Sequence, residues 1–225
     1  MTRIEGVAAV LNDIEGTTSS LAFVHEVLFP YSRARMIDYV AAHRALVEPI
    51  LDVAREIEGR HDLDDVGIAR VLVRWIDEDR KAPPLKALQG MIWREGYEAG
   101  EIQGHVYADA VRGLKKWRAQ GLRLAVYSSG SVEAQKLIFG MSEVGDLTPL
   151  FEAFFDTAVG AKVEAASYGR IADKLRLPPD QTLFLTDTHA EIEAAKEAGL
   201  KAVRLVRDGF AGPGEATSFD DIEIG

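Results

Sequence analysis

Two carboxylates stand one residue apart in the stretch "LNDIEGTTSS", Leu11 to Ser20: Asp13 and Glu15, followed by Gly16 and a row of hydroxyl side chains. They follow an apolar run, Val7 to Leu11, that reads as a buried strand. Like charges brought together raise each other's pKa and lower stability unless a cation, hydrogen bonds or solvent compensates. A strand simply surfacing into water gives a similar pattern, so the rest of the chain must decide. A carboxylate at a strand end can attack phosphorus when a divalent cation neutralises the phosphate and holds the pair in line. Glu15 points to the same side as Asp13 if the backbone stays extended. It can then protonate a leaving oxygen and afterwards activate water. Gly16 permits the sharp turn that both roles need, and Thr17 and Thr18 can bond the backbone or steady the carboxylate.

Three further polar groups end predicted strands. Ser128 and Ser129 lie in "VYSSGS", where a hydroxyl and nearby N–H groups at a strand–helix junction form an anion cradle. Lys162, in "VGAKVEAASYG", follows a predicted strand over Ala153 to Thr157 and a glycine, and can point inward to bind phosphate. Asp187, in "FLTDTHAEIEAA", can give a cation a hard oxygen ligand, and Glu191, four residues on, can reach that ion directly or through water. Each has an ordinary alternative: a loop with an N-cap, a solvated lysine, an Asp that caps a helix. Four such endings in order on successive strands point to metal-assisted phosphoryl transfer.

The elements that must position these groups alternate through the C-terminal half. "LRLAVYSS", "QTLFLTD" and "KAVRLV" are apolar runs typical of buried parallel strands. Between them lie helical patterns, several closing on glycine. This predicts an α/β doubly wound parallel sheet, whose ligands bind outside the carboxyl ends of the strands. From about Val24 to Glu101 the chain has helical periodicity and little strand character, with a proline-ended break at Asp79 to Pro84. The expected organisation is a core over 1–20 and 105–225, with an all-helical cap over 21–104 inserted after the first strand. Helices inserted there can act as a lid or as extra packing, and the lid is the reading preferred, because the insertion leaves the chain at the acidic motif.

The composition narrows the classes. The chain has no cysteine, which excludes disulfides, thiolate catalysis and cysteine-ligated metals. Its net charge of -10 repels nucleic-acid phosphates, and it repels an anionic metabolite too unless a cation or lysine reverses the field locally. No apolar run approaches the ~20 residues needed to span a bilayer, and no signal-peptide h-region precedes the acidic motif. A cytoplasmic protein with no nucleic-acid or membrane partner is expected, acting as a monomer on a small-molecule phosphate ester.

The order Asp-x-Glu-Gly-Thr, Ser, Lys, Asp resembles the haloacid dehalogenase superfamily of phosphotransferases. The resemblance implies an aspartyl-phosphate on Asp13 and general acid/base work by Glu15, whose backbone carbonyl also helps to bind Mg²⁺. It implies a phosphoryl grip by Ser128 and Lys162, and completion of the metal site by Asp187. Within the superfamily, "DIEGTTSSLAFVHEVLFPY", "LQGMIW", "YSSGSVEAQKLIFG", "FFDTAVGAKVEAASYGRIA" and "LFLTDTHAEIEAA" together resemble the enolase-phosphatases of methionine salvage. That implies a magnesium enzyme that enolises 2,3-diketo-5-methylthiopentyl-1-phosphate and then removes its phosphate to give an acireductone. The alternative is another Mg-dependent small-molecule phosphatase or phosphomutase of the same superfamily. A hydrolytic dehalogenase has no use for a metal-binding Asp187. A phospho-accepting receiver carries its Asp on a middle strand and lacks a large helical insertion.

Inside the insertion, His25 is a candidate base, although a lone histidine on an amphipathic helix is more often structural. Gln89, Trp93 and Tyr97 recur at helical spacing, either as a packed face or as a wall for a thioether tail.

Overall fold

The structure, a computed structural model, describes residues 1–225. In chain order the elements begin with β1 (Thr2–Ile4) and β2 (Ala9–Asn12). A helical stretch follows: α1 (Leu21–Phe23), a π-helical turn over Val24–Leu28, α2 (Phe29–Ala42), α3 (Arg44–Glu58), α4 (Asp65–Asp77) and α5 (Pro83–Glu98). Then come α6 (Ala108–Ala119), β3 (Arg123–Tyr127), α7 (Val132–Gly140), β4 (Ala153–Phe155) and α8 (Ala165–Leu175). The chain finishes with β5 (Thr182–Thr186), α9 (His189–Glu197), β6 (Lys201–Arg204) and β7 (Ile222–Ile224). Contacts divide it into two compact units, Met1–Leu21 with Gly104–Gly225, and Ala22–Gln103. No helix is long and apolar enough to cross a membrane.

The larger unit is built on a five-stranded parallel sheet ordered β4-β3-β2-β5-β6. β2 lies at its centre, with Leu11 opposite Ala125 on one side and Phe184 on the other. Every residue of β2 and β5 is buried, which is why neither strand alternates apolar with exposed polar side chains. One face packs Leu11, Tyr127, Phe155, Tyr168, Ile171 and Phe184 together. A second, two-stranded sheet pairs the chain ends, β1 with β7, in parallel register. Three residues are too few to carry a period, so this pair has no sequence signal.

The helical unit has its own core of Met36, Val47, Leu51, Ile68, Leu72, Trp75, Leu88 and Ile92. Arg55, buried in α3, donates to Asp52 (2.7 Å) and Glu48 (3.1 Å), and across to Asp65 (2.6 Å) at the start of α4 and the Leu63 carbonyl (3.0 Å). The break between α4 and α5 is made by Asp79, at φ 49°, and by the paired prolines that start α5.

The segment after β6 returns to α6. Phe219 stacks on Trp117 at 5.3 Å, and Asp109 accepts from the Phe219 amide (2.8 Å), Ser218 Oγ (3.0 Å) and Arg207 Nη1 (2.7 Å). Burial alone would raise the Asp109 pKa, but these donors hold it below its ordinary value of 3.8. A depressed folded pKa gives stability that is complete above the unfolded value and is lost as the pH falls through the folded one. Asp109→Asn should lower the stability of the larger unit by about 1–2 kcal/mol at pH 7. The gap from wild type should narrow as the pH drops below 3.8. Urea midpoints of both proteins across that range check this.

Candidate active site

The site begins where β2 ends. The Asp13 amide still bonds the Leu185 carbonyl (2.9 Å), one residue past the regular strand. The chain then turns at once. The amides of Thr17, Thr18 and Ser19 all donate to the Ile14 carbonyl, at 3.1, 3.0 and 2.8 Å. Thr18 Oγ1 donates to the Asp13 carbonyl at 2.9 Å. Glu15 is therefore set by this turn and not by continued extended alternation. It is half-buried and bridges to Ser19. Gly16 has φ +69°, and a Cβ there would overlap the Asp187 carboxylate. The Asp187 side chain thus lies directly on the backbone of the acidic motif.

Asp13 is buried and its two oxygens are distinguished. Oδ1 meets Lys162 Nζ at 2.6 Å, and Oδ2 lies 3.2 Å from Thr186 Oγ1. Lys162 Nζ also reaches Glu191 Oε2 at 2.8 Å, and Thr186 Oγ1 lies 2.7 Å from that same oxygen. A hydroxyl has one proton, so Thr186 serves Asp13 or Glu191 but not both at once. Lys162 is itself buried, 5.8 and 5.9 Å over the rings of Tyr127 and Phe184. Burial works against its charge, but Asp13 and Glu191 outweigh burial and hold the pKa above its ordinary value. Its backbone is clamped too: Tyr168 Oη donates to the Lys162 carbonyl (2.6 Å) and Tyr127 Oη to the Gly160 carbonyl (2.9 Å).

Lys162 lies in the loop before α8, as its spacing from the strand required. Asp187 does not cap α9; Thr188 occupies that position. Ser128 is buried beyond β3, its amide bonded to the Phe155 carbonyl (3.1 Å) and its Oγ accepting from the Gly130 amide (3.2 Å). The N-cap of α7 is Ser131, so Ser128 and Ser129 are not used for that. Gln135 shapes the same turn by donating to the Gly130 and Phe155 carbonyls, both at 2.8 Å.

Asp13 and Lys162 are therefore in contact, Asp187 lies against Gly16, and Ser128 ends the adjoining strand. No three His, Asp or Glu side chains gather by themselves to hold an ion. The Asp187 side chain lies instead against main chain, at Gly16. Carboxylate and carbonyl oxygens together fit a hard cation. Asp13 and Glu191 share a single buried ammonium, which leaves negative charge in excess. Asp187 shows the effect: burial, and then the charge of Asp13, push its pKa up. Glu191 is raised by the same two causes in the same order. Oxygen donors with surplus negative charge suit Mg²⁺, with Asp13 and Asp187 as the side chains to hold it.

Thr186 and the lysine-binding role of Glu191 escaped the sequence reading. Thr186 stands immediately before Asp187, and at a strand end that position was itself a signal. In the helical unit, His25 is exposed and edge-on to Phe29 at 5.4 Å. Trp93 Nε1 donates to the Leu28 carbonyl (2.7 Å), and its ring stacks with Phe29 at 6.5 Å. Gln89 bonds Ser32 at 3.4 Å, and Tyr97 is buried with no partner for its hydroxyl. These three residues are the packed face of α5.

Residues 7–199 match the haloacid dehalogenase-like hydrolase family. The chain is 56% identical over 207 residues to the enolase-phosphatase E1 of Methylococcus capsulatus, covering 91% of each chain. It is 56% identical over 203 residues to the enolase-phosphatase E1 of Parvibaculum lavamentivorans, covering 89% of this chain and 86% of that one. The crystal structure of the UTR4 protein of Saccharomyces cerevisiae superposes with a TM-score of 0.79 at 31% identity, covering 96% of this chain and 99% of that one.

The Gly16 turn is open to a direct test. Gly16→Ala adds both left-handed strain, about 1–3 kcal/mol, and the overlap with Asp187. Gly121→Ala, at φ +86° with nothing near its Cβ, adds strain alone. Denaturation should show the first variant to be clearly the less stable, and equal losses would remove the contact between Gly16 and Asp187.

Proposed function

The chain belongs to the enolase-phosphatase family of haloacid dehalogenase-like hydrolases, and on that premise we propose that it enolises 2,3-diketo-5-methylthiopentyl-1-phosphate and then dephosphorylates the enol through an aspartyl-phosphate on Asp13. The product is an acireductone, a step of methionine salvage. What carries the assignment is the reach of the identity. It spans nine-tenths of the chain, the helical insertion included, where a shared phosphatase core would account only for the larger unit.

Asp13 is the nucleophile. Its Oδ1 is held by Lys162, which aims the carboxylate and leaves Oδ2 with at most one shared hydroxyl donor. Attack on phosphorus forms the acyl phosphate, and Glu15 protonates the departing oxygen. Glu15 then takes a proton from water as that water attacks the phosphorus, which frees Asp13 and phosphate. Ser128 and Ser129, with the backbone amides of their turn, hold the phosphoryl oxygens, and the Lys162 ammonium offsets the phosphoryl charge once Asp13 has given up its own. Mg²⁺, held by Asp13, Asp187 and the main chain at Glu15, would offset the phosphate charge and stabilise enolate oxygens as they form. All of these groups come from one chain, which supports action as a monomer, and a cytoplasmic setting suits a small-molecule phosphatase without disulfides.

The paired assay follows enol absorbance and free phosphate from the diketo phosphate. Wild type should give both signals; phosphate from unrelated esters with no enol signal would favour a different phosphatase. Asp13→Asn keeps an oxygen near the metal but is a poor nucleophile, so enol should accumulate while phosphate release disappears. Loss of both steps with Mg²⁺ affinity unchanged would show that they are not separable. Lys162→Ala should weaken both steps, because the phosphate it anchors is common to them.

Metal dependence is measured separately. EDTA should silence both signals and Mg²⁺ should restore them. Asp187→Ala should raise the Mg²⁺ concentration needed more than it lowers thermal stability. Full turnover by metal-free protein would overturn the metal reading.

A further inference from the structure

One charged side chain outside the family motif touches the acidic turn. Arg207 lies three residues beyond β6, in a segment that reads as plain loop, yet its side chain is only 11% exposed. Its Nε donates to the Thr17 carbonyl at 3.0 Å, and its Nη2 donates to the same oxygen. Nη1 is held by Asp109 at 2.7 Å. The guanidinium plane lies 4.2 Å over the ring of Tyr107 and 5.4 Å over that of Phe219. Thr17 is fully buried and immediately follows Gly16, whose backbone carries the Asp187 carboxylate. The next carbonyl, of Thr18, accepts from the Tyr107 amide at 2.9 Å.

The turn is thus closed from inside and held from outside. Inside, the amides of Thr17, Thr18 and Ser19 converge on the Ile14 carbonyl. Outside, two donors of one guanidinium fix the Thr17 carbonyl. A charge-assisted fork onto one acceptor is both strong and directional. A simpler structural role, fastening the C-terminal segment to α6, is already filled by the exposed Arg112–Asp220 pair and by the Ser218 and Phe219 donors on Asp109.

We propose that Arg207 is a positioning residue. It holds the Gly16–Thr17 turn so that Glu15 is presented beside Asp13 and Asp187 keeps its seat on Gly16. The inference rests on the roles given above to Asp13 and Glu15. Lysine substitutes only in part: one ammonium supplies neither the pair of donors converging on the Thr17 carbonyl nor a flat surface over the Tyr107 and Phe219 rings.

The test compares wild type with Arg207→Met, Arg207→Lys and, as a control on general loosening of the same segment, Arg112→Ala. Three quantities are read: kcat and KM for phosphate release, amide exchange at Thr17, Thr18 and Ser19, and the melting temperature. Arg207→Met should lower kcat roughly tenfold to a hundredfold, with KM within about threefold of wild type. Exchange at the three amides should quicken. Arg207→Lys should stay folded yet recover only part of kcat, and Arg112→Ala should match wild type in kcat and in exchange at the turn. If Arg207→Met lowers the melting temperature but leaves kcat and exchange as in wild type, the role is structural and the inference falls. Should Arg207→Met not fold, Arg207→Lys decides, and wild-type kcat in that variant overturns the proposal. Wild type inactive on the diketo phosphate would instead overturn the functional reading, while exchange at the turn would still report whether Arg207 holds it.

Discussion

A buried ammonium between two carboxylates is the contact on which this site depends. Lys162 bridges Asp13 at 2.6 Å and Glu191 at 2.8 Å, and all three groups are removed from bulk water. Desolvating charges is expensive, and such a triad persists only where geometry is good and the remaining hydrogen-bond capacity is used. Here the geometry comes from the sheet. Asp13 leaves β2, Glu191 stands on the first turn of α9 after β5, and Lys162 follows β4. The parallel register that sets Asn12 opposite Val126 and Leu185 fixes where each chain emerges. A slip of one residue would reverse the facing of the strand side chains and separate the charges.

The same cluster explains how an acidic protein handles an anionic substrate. The whole chain carries -10, and the site adds surplus carboxylate rather than relieving it. Burial first, and then the charge of Asp13, raise Asp187 and Glu191, and on the proposed function that surplus charge would give a cation its affinity. Selectivity and attraction are therefore separated. On the proposed function, carboxylates would recruit the ion, and the ion with Lys162 would recruit the phosphate.

What the sequence made legible follows the same physics. The positions of Asp13, Ser128 and Asp187 were legible because an apolar run that ends abruptly in a polar residue marks a strand end, and that of Lys162 because a glycine turn separates such a run from a helix. The helical insertion was legible from its period. The placement of Glu15 was not, because it depends on three amides sharing the Ile14 carbonyl, a backbone arrangement that no side chain announces. The bridge from Lys162 to Glu191 depends on register, which spacing alone does not reveal. Arg207 sits between a strand and a glycine-rich stretch, in company that reads as solvent-exposed loop. The β1–β7 pair is too short to leave a pattern.

The central position of β2 bears on how the chain is made. The strand leaves the ribosome well before its neighbours: Asn12 finds its partner Ala125 only 113 residues later, and Asp13 meets Thr186 after 173. At roughly 5–20 residues per second, the strand is out for many seconds before β3 and β5 follow. Throughout that interval it presents two unpaired edges and an apolar face, the form most open to capture by another nascent strand. The helical unit is translated meanwhile and closes its contacts over short sequence separations, which favours rapid formation. The order of synthesis therefore favours a helical body formed early and a sheet completed late. The interval before β5 arrives is the period in which a chaperone, or a slowed codon tract, would have most influence on yield.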